Sequence, residues 1–243
     1  MPEILVVIPT LNEVDNLSRT VGRVRQHLPH SDVLVVDDNS QDGTTELADR
    51  LGAEDPGVTV VHRTVRGFAS AIMDSFQYAL KHGYKYVVTV DADGAYDLAT
   101  LSELVETART GNLDLVIGSR WVPGGDVKNM AARRRVTSWL GNTYTRRMLG
   151  TSVQDLTSTV RVYSSRILAR IPFDKVRSEA YAFQIELVTR IAQAGGQIAE
   201  LPIAYVERAI GKSKMRAKDM FAAGGRVTRW GLRGIRARPK PDA

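Results

Sequence analysis

Tyr86-Val87-Val88-Thr89-Val90-Asp91-Ala92-Asp93 is the stretch from which the architecture of this chain is read. Its first five residues form a β-branched apolar run, the pattern of a strand buried on both faces in a parallel sheet. Side chains alternate along an extended backbone, so Asp91 and Asp93 project to the same side where that strand ends. Two carboxylates held so close repel unless a cation lies between them. Mg²⁺ or Mn²⁺, itself bridged to a diphosphate, answers that requirement with hard oxygen ligands. A lone D-x-D also reads as a solvated turn, so its weight depends on the rest of the chain.

The chain has 243 residues, of which 43% are hydrophobic and 25% charged. That supports one large α/β domain, or a domain with an appendage, around a sizeable core. It has no cysteine, which excludes disulfides and Cys-based zinc or redox sites. Met1-Pro2-Glu3 leads directly into an apolar run, so no signal peptide is expected, and no stretch approaches the length of a membrane span. The net charge of +6 is unevenly distributed: residues 207–243 hold 11 Lys/Arg against 3 Asp/Glu, and the preceding body is slightly acidic. A basic end on a near-neutral body points to an anionic surface or substrate, and no recognition motif supports nucleic-acid binding.

Outward from residue 86, apolar runs alternate with helical periodicity. Strands are expected at Ile4–Ile8, Val33–Val36, Val58–Val61, Tyr86–Val90 and Leu113–Ile117. Helices are expected at Asn16–Leu28, from Asp42 to just before Gly52, at Phe68–His82 and at Leu98–Thr110. Beyond Gly118 the rhythm breaks. Ala131–Leu149, Ala182–Ala194 and Ala217–Arg236 read as helices, and Val160–Tyr163 and Ile198–Val206 as extended. The β-α-β-α order implies a Rossmann-like, mostly parallel sheet with helices on both faces and its site at the strands' carboxyl ends.

Those ends carry Pro9-Thr10-Leu11-Asn12-Glu13, Asp37-Asp38-Asn39-Ser40-Gln41-Asp42-Gly43, Asp91-Ala92-Asp93 and Gly118-Ser119-Arg120. Each alone is compatible with turn chemistry, since Asn, Asp, Ser and Gly favour turns. Four in succession describe a binding site. As a pure acceptor, the Asp38 carboxylate suits a ring N–H or a ribose hydroxyl, while Asp37 points the other way and reads as a structural turn residue.

With these motifs the chain resembles the inverting glycosyltransferases of family 2, which have the GT-A fold. More narrowly it resembles the polyprenol-phosphate (dolichol-phosphate) mannose synthases, through Gly118–Gly125, Asp155–Ser158, Ser178–Leu187 and Glu207–Met215. The resemblance spans roughly residues 4 to 220. It implies a GT-A catalytic domain over residues 1–216, followed by a basic amphipathic C-terminal helix and tail over 217–243. It also implies a metal-dependent enzyme that transfers mannose from GDP-mannose to a polyprenol monophosphate with inversion, giving β-linked polyprenyl-phosphate mannose.

Residue by residue, the resemblance implies donor binding by Pro9, Leu11, Glu13, Val36, Asp38, Asp91, Ala92, Arg208 and Lys214. It puts the divalent metal, Mg²⁺ or Mn²⁺, at Asp91 and Asp93, with Asp93 the more direct ligand. Arg120, Arg134 and Ser138 are the expected acceptor-phosphate groups, and Asp91, Asp93, Arg120 and Arg134 the catalytic set. Arg134, Ser138 and Asn142 keep register with the family's W-x₃-R-x₃-S-x₃-N, with Met130 at the tryptophan; Arg133 and Arg135 are equally placed neighbours of Arg134. The chain departs from the subfamily at Arg66-Gly67-Phe68, at Ala95, where a third metal-side ligand is missing, and at Thr159-Val160. These departures keep open a transferase for UDP-glucose or another nucleotide sugar. A non-catalytic nucleotide-sugar-binding subunit is the third reading, against which the intact acidic pair speaks.

A phosphate monoester has its second pKa near about 6, so the attacking oxygen is already ionised at neutral pH and a strong base is unnecessary. His27, His30, His62 and His82 therefore need no catalytic part. For a lipid-borne acceptor, the enzyme is expected at the cytoplasmic face of the membrane. Met220, Ala223, Val227 and Trp230, with Arg226, Arg229, Arg233 and Arg236 beside them, have the spacing of a basic interfacial helix. The same spacing fits a helix packed on the domain, so docking on lipid, docking on a separate membrane-anchoring subunit and internal packing all remain open.

Overall fold

The apolar runs become strands because their Val, Ile and Leu side chains are buried on both sides between layers of helix. A computed structural model describes residues 2–127, 130–206 and 217–235, with side chains in the last segment described from residue 222. Its strands are β1 (Ile4–Thr10), β2 (Asp32–Asp37), β3 (Val58–His62), β4 (Tyr86–Thr89), β5 (Leu115–Ser119), β6 (Arg161–Ser164) and β7 (Ile198–Pro202). They form one sheet in the order β3-β2-β1-β4-β6-β5-β7. Only β6 runs antiparallel to its neighbours.

Alternation along β1 sorts its side chains between two cores: Leu5 and Val7 face one, Val6 and Ile8 the other. The second core is closed by α1 (Leu17–His27), α2 (Thr44–Glu54) and α4 (Leu101–Thr110). The first is closed by α3 (Phe68–Lys81), α5 (Ala132–Leu149), the short α6 (Ser165–Leu168), α7 (Ala180–Gln193) and α8 (Ala217–Leu232). Each fully buried Val, Leu or Ile contributes about 1.5–3 kcal/mol, so these two layers are the main source of stability.

The expected elements all form, with shifted ends. Helix α2 continues through Gly52 to Glu54. A Cβ at Gly52 would lie 3.3 Å from the Val58 carbonyl oxygen and from a Val60 methyl, so the glycine lets the last turn lie against β3. Strand β7 ends at Pro202, after which the chain keeps only isolated bridges at Ala204 and Tyr205.

Helix α8 settles one alternative. Its Ala223 and Val227 are buried, Val227 joins the same core as β1 and β4, and Trp230 packs against that core. Gly231 lies against Met148 of α5, Thr228 hydrogen-bonds Tyr144 at 2.6 Å, and Arg226 donates to the Arg177 carbonyl at 2.8 Å and to Ser178 Oγ at 3.0 Å. Internal packing thus uses Ala223 and Val227 on the apolar side of this helix. Among the described residues, no helix is long and apolar enough to cross a membrane.

Candidate active site

In the sheet, β2, β1 and β4 are neighbours, and the chain runs outward from β1 in both directions. The crevice at such a reversal point lies beyond the strands' carboxyl ends. There β1 delivers Pro9–Glu13, β2 delivers Asp38 and β4 delivers Asp91–Asp93. A cavity of about 460 Å³ opens at this point, lined by Pro9, Thr10, Leu11, Glu13, Asp38, Asp91, Ala92 and Asp93 from the strand ends. Arg66, Gly67, Phe68, Thr157, Thr159, Glu179, Ala180, Tyr181 and Gln184 complete the wall.

Local hydrogen bonds hold the strand-end loops in place. Asn12 and Asn39 adopt left-handed backbone angles, φ 52° and 60°, which asparagine tolerates better than most residues. The Asn12 amide donates to Ser40 Oγ at 2.8 Å, and Gln41 N donates to Asn12 Oδ1 at 2.8 Å, which locks the β1 and β2 loops together. Asp37 is buried and accepts from Ser40 and Thr45, the part of a structural turn residue. Asp38 accepts from Gly67 N at 2.8 Å and pairs with Arg63. Arg66 grips the same loop, donating to the carbonyls of Asp38 at 3.1 Å and Asn39 at 2.6 Å.

Asp91 accepts from Thr159 Oγ1 at 2.5 Å, and Asp93 accepts from the Ala95 amide at 2.9 Å. The two carboxylates line the same cavity. A hard divalent cation fits this donor set of carboxylate oxygens. Among the described residues no group of three or more carboxylates and histidines is gathered closely enough to hold a metal ion.

Thr157 and Thr159 stand on a loop that is anchored from four sides. Arg120, at the end of β5, grips Asp155 with two parallel hydrogen bonds of 2.7 and 2.8 Å and reaches Thr157 Oγ1 at 2.9 Å. Glu200 of β7 accepts from the amides of Gln154 and Asp155 at 2.6 and 2.8 Å. Asn142 of α5 accepts from Leu156 N at 2.9 Å. Arg161 of β6, wholly buried, donates to the carbonyls of Leu156 and Ser158. Burial by itself would raise the Asp155 carboxyl, but the charge and hydrogen bonds of Arg120 prevail and hold it below the usual carboxylate range. The reverse balance keeps Arg120 charged despite its burial. The Arg120 guanidinium also lies over the Tyr96 ring, 5.8 Å from its centroid. Burial, ahead of the neighbouring charges, pushes the Tyr96 hydroxyl well above its ordinary range.

The expected residues thus divide into three groups. Pro9, Leu11, Glu13, Asp38, Asp91, Ala92 and Asp93 come together in the cavity wall. Val36 is instead a core residue of β2, and Arg120 is buried against Asp155 outside the wall. The Arg120 Nε and Nη2 are committed to the loop that carries Asp155 and Thr157, whose position they set in this geometry. Arg134, in the first turn of α5, is exposed and donates to Tyr205 Oη at 2.8 Å, and Ser138 lies one turn further on. Neither lines the cavity. Arg208 and Lys214 lie outside the described residues.

Residues that sequence reasoning did not assign to the site are Arg63, Arg66, Thr157, Thr159, Glu179, Tyr181 and Gln184. In the sequence Asp155–Ser158 and Ser178–Leu187 stand out only as family patterns, and Arg66 and Thr159 only as departures. Glu179 Oε2 accepts from Ala69 N at 3.3 Å, next to the Gly67 turn. Ala180 follows at φ 50°, a left-handed angle of order 1–3 kcal/mol in cost for a non-glycine residue, set in the cavity wall.

Comparison with known proteins agrees with this fold. Residues 5–171 match the family model described as Glycosyl transferase family 2. A relative from Micrococcus luteus named undecaprenyl-phosphate mannosyltransferase is 45% identical over 240 residues, covering 97% of this chain and 98% of that one. The polyprenol monophosphomannose synthase of Mycolicibacterium smegmatis is 44% identical over 232 residues, covering 95% and 87%. Among solved structures, glucosyl-3-phosphoglycerate synthase from Mycobacterium tuberculosis, in complex with Mn²⁺, UDP and glucosyl-3-phosphoglycerate, superposes with a TM-score of 0.65 at 21% identity over 98% of this chain and 81% of that one. A mannosyltransferase from Pyrobaculum calidifontis, in complex with GDP-Man and Mn²⁺, gives 0.58 at 18% identity over 96% and 73%. At these identities the two structures speak for the GT-A-like fold alone.

Proposed function

Because this chain belongs to glycosyl transferase family 2, we propose that it is the enzyme that transfers mannose from a nucleotide donor to the phosphate of a polyprenol. The observation that carries this reading is near full-length identity of 44–45% to two relatives named for that transfer, in a chain whose acidic pair lines the reversal-point cavity.

In the proposed reaction the donor is GDP-mannose, its nucleoside part lying along Pro9–Glu13 and Asp38 and its diphosphate toward Asp91 and Asp93. A divalent Mg²⁺ or Mn²⁺ held by these two carboxylates would screen the charge that gathers on the leaving diphosphate. The acceptor phosphate is already anionic at neutral pH. An acceptor oxygen forms the new bond to the anomeric carbon from the face opposite the departing diphosphate, whose bond breaks, so the configuration inverts. No proton need be removed.

The protein's share of the chemistry is therefore positioning and charge stabilisation. Thr159 orients Asp91, the Ala95 amide orients Asp93, and the Arg120–Asp155 pair holds the loop that carries Thr159. Arg134 and Ser138, with Arg208 and Lys214, are the groups proposed to receive the acceptor phosphate. We place the reaction at the cytoplasmic face of a membrane, where a water-soluble donor and a lipid-borne acceptor meet. Incubation of the protein with undecaprenyl phosphate, Mn²⁺ and either GDP-mannose or UDP-glucose tests the proposal by mass spectrometry of the lipid extract. A hexosyl product from GDP-mannose is expected. A product from UDP-glucose alone would retain the transferase and overturn the mannose donor, a reading kept alive by Arg66 and Phe68 in the wall.

A further inference from the structure

Helix α5 is inside out. The side turned to the protein carries Asn142, Thr145 and Leu149, all buried. The opposite side leaves Val136, Trp139, Leu140 and Tyr144 exposed at 53, 51, 52 and 42% of their surface. Spacings of three, four and eight residues gather these four on one face. A water-soluble protein has no use for a clustered apolar face left in water, and such a patch marks a contact surface.

We infer that this outward face of α5 is where the protein rests on an anionic lipid bilayer. The occupant follows from charge. Helix α5 holds five arginines and no carboxylate, and Arg133, Arg135 and Arg147 are exposed around the apolar stripe. Helix α8, tied to α5 through Tyr144 and Thr228, adds exposed Arg229 and Arg233. An amphipathic indole and phenol among aliphatic side chains, ringed by guanidinium groups, matches the headgroup boundary of an anionic membrane. A second copy would be a poor occupant, because a two-fold contact sets the same arginines against one another. The sequence-based alternative, the apolar side of α8, is excluded because Ala223 and Val227 are consumed in the core.

The inference deepens the proposed function and rests on it in one respect: a lipid-borne phosphate would arrive beside the first turn of α5, which carries Arg134. The test uses the full chain and vesicles of phosphatidylcholine with or without phosphatidylglycerol, some with brominated acyl chains. The wild type is expected to float with anionic vesicles and to lose tryptophan emission to brominated lipid, and Trp139→Phe to abolish that quenching. The triple variant Val136→Ser, Trp139→Ser, Leu140→Ser is expected to bind at least about tenfold more weakly, given the apolar area removed. Its circular dichroism and its activity toward a detergent-dispersed acceptor should match the wild type.

Equal vesicle binding by the triple variant would overturn the inference. So would quenching that persists in Trp139→Phe, which would move the contact to Trp121 or Trp230, or binding that ignores phosphatidylglycerol. A wild-type dimer in light scattering that the triple variant disperses, without vesicle binding, would assign the face to a second copy instead. Vesicle binding that depends on this face, in a protein that transfers to no polyprenyl phosphate, would uphold the surface and remove the proposed function.

Discussion

The carboxylate of Asp155 meets the guanidinium of Arg120 where both are buried, and the pair holds the loop on which Thr159 reaches Asp91. An ion pair taken out of water is costly to break from one side, because the remaining charge keeps its desolvation penalty without its partner. Asp155→Asn is therefore expected to destabilise the fold by about 3–5 kcal/mol, read as a shift of the urea midpoint. A loss below about 1 kcal/mol, the range of an exposed pair, would contradict this account of the loop. Asp91 and Asp93 were legible in the sequence because they follow a β-branched strand at alternate positions. Arg63 was not, since nothing near it in sequence marks a basic residue that pairs with Asp38 from 25 positions away. The engagement of Arg120 by Asp155, 35 residues on, was hidden in the same way: chain separation carries no information on which acid a buried arginine meets.

At the scale of elements, the turn after β5 depends on a glycine with no room for a side chain. A Cβ at Gly125 would lie 2.6 Å from the backbone carbon and oxygen of Arg120 and 2.8 Å from the Ser119 oxygen. Backbone cannot swing away as a side chain can, so Gly125→Ala must displace the segment that aims Arg120. We expect a loss of about 1–3 kcal/mol together with reduced transfer, measured by urea unfolding and by product formation; unchanged stability and turnover would show that the turn has slack. Helix positions were readable from apolar periodicity to within a few residues. The orientation of α5 was less so, since a helix that buries Asn142 and exposes Trp139 breaks the rule that apolar faces turn inward. Asn142 is buried because it receives the Leu156 amide, a long-range bond that periodicity does not reveal. For α8 the stripe was recognised correctly, but its destination depended on the groove offered by α5 and α7.

For the whole molecule, burial of carboxylates sets the response to acid. Asp114 and Asp155 are both held below the ordinary carboxylate range. Burial opposes this in each; for Asp114 the Gln197 amide and Arg166 prevail, and for Asp155 the Arg120 charge does. A carboxyl depressed in the folded state contributes stability that is present above its unfolded pKa, near about 3.9, and is lost as pH falls through the folded value. His62 has the opposite sign. Its hydrogen bond to Asp49 raises it above the usual value, so its contribution is complete at low pH and fades as pH rises through the folded value. Urea midpoints are expected to fall steeply below pH of about 4, and less steeply in Asp114→Asn; a midpoint flat down to pH of about 2 would refute these pairings. That the sheet is mostly parallel was readable because the β-α-β-α rhythm implies it; the order of its strands was not. The break after Gly118 was visible, but not that it inserts β6 antiparallel between β4 and β5.

The account as a whole depends on the Asp91–Asp93 couple holding the donor at the reversal point of the sheet. Calorimetric titration of GDP-mannose into the wild type and into Asp91→Asn and Asp93→Asn, each with and without Mn²⁺, measures this most directly. The expected result is Mn²⁺-dependent binding in the wild type that falls by at least about tenfold in either variant. Equal affinity in all three proteins, or binding indifferent to Mn²⁺, would contradict it.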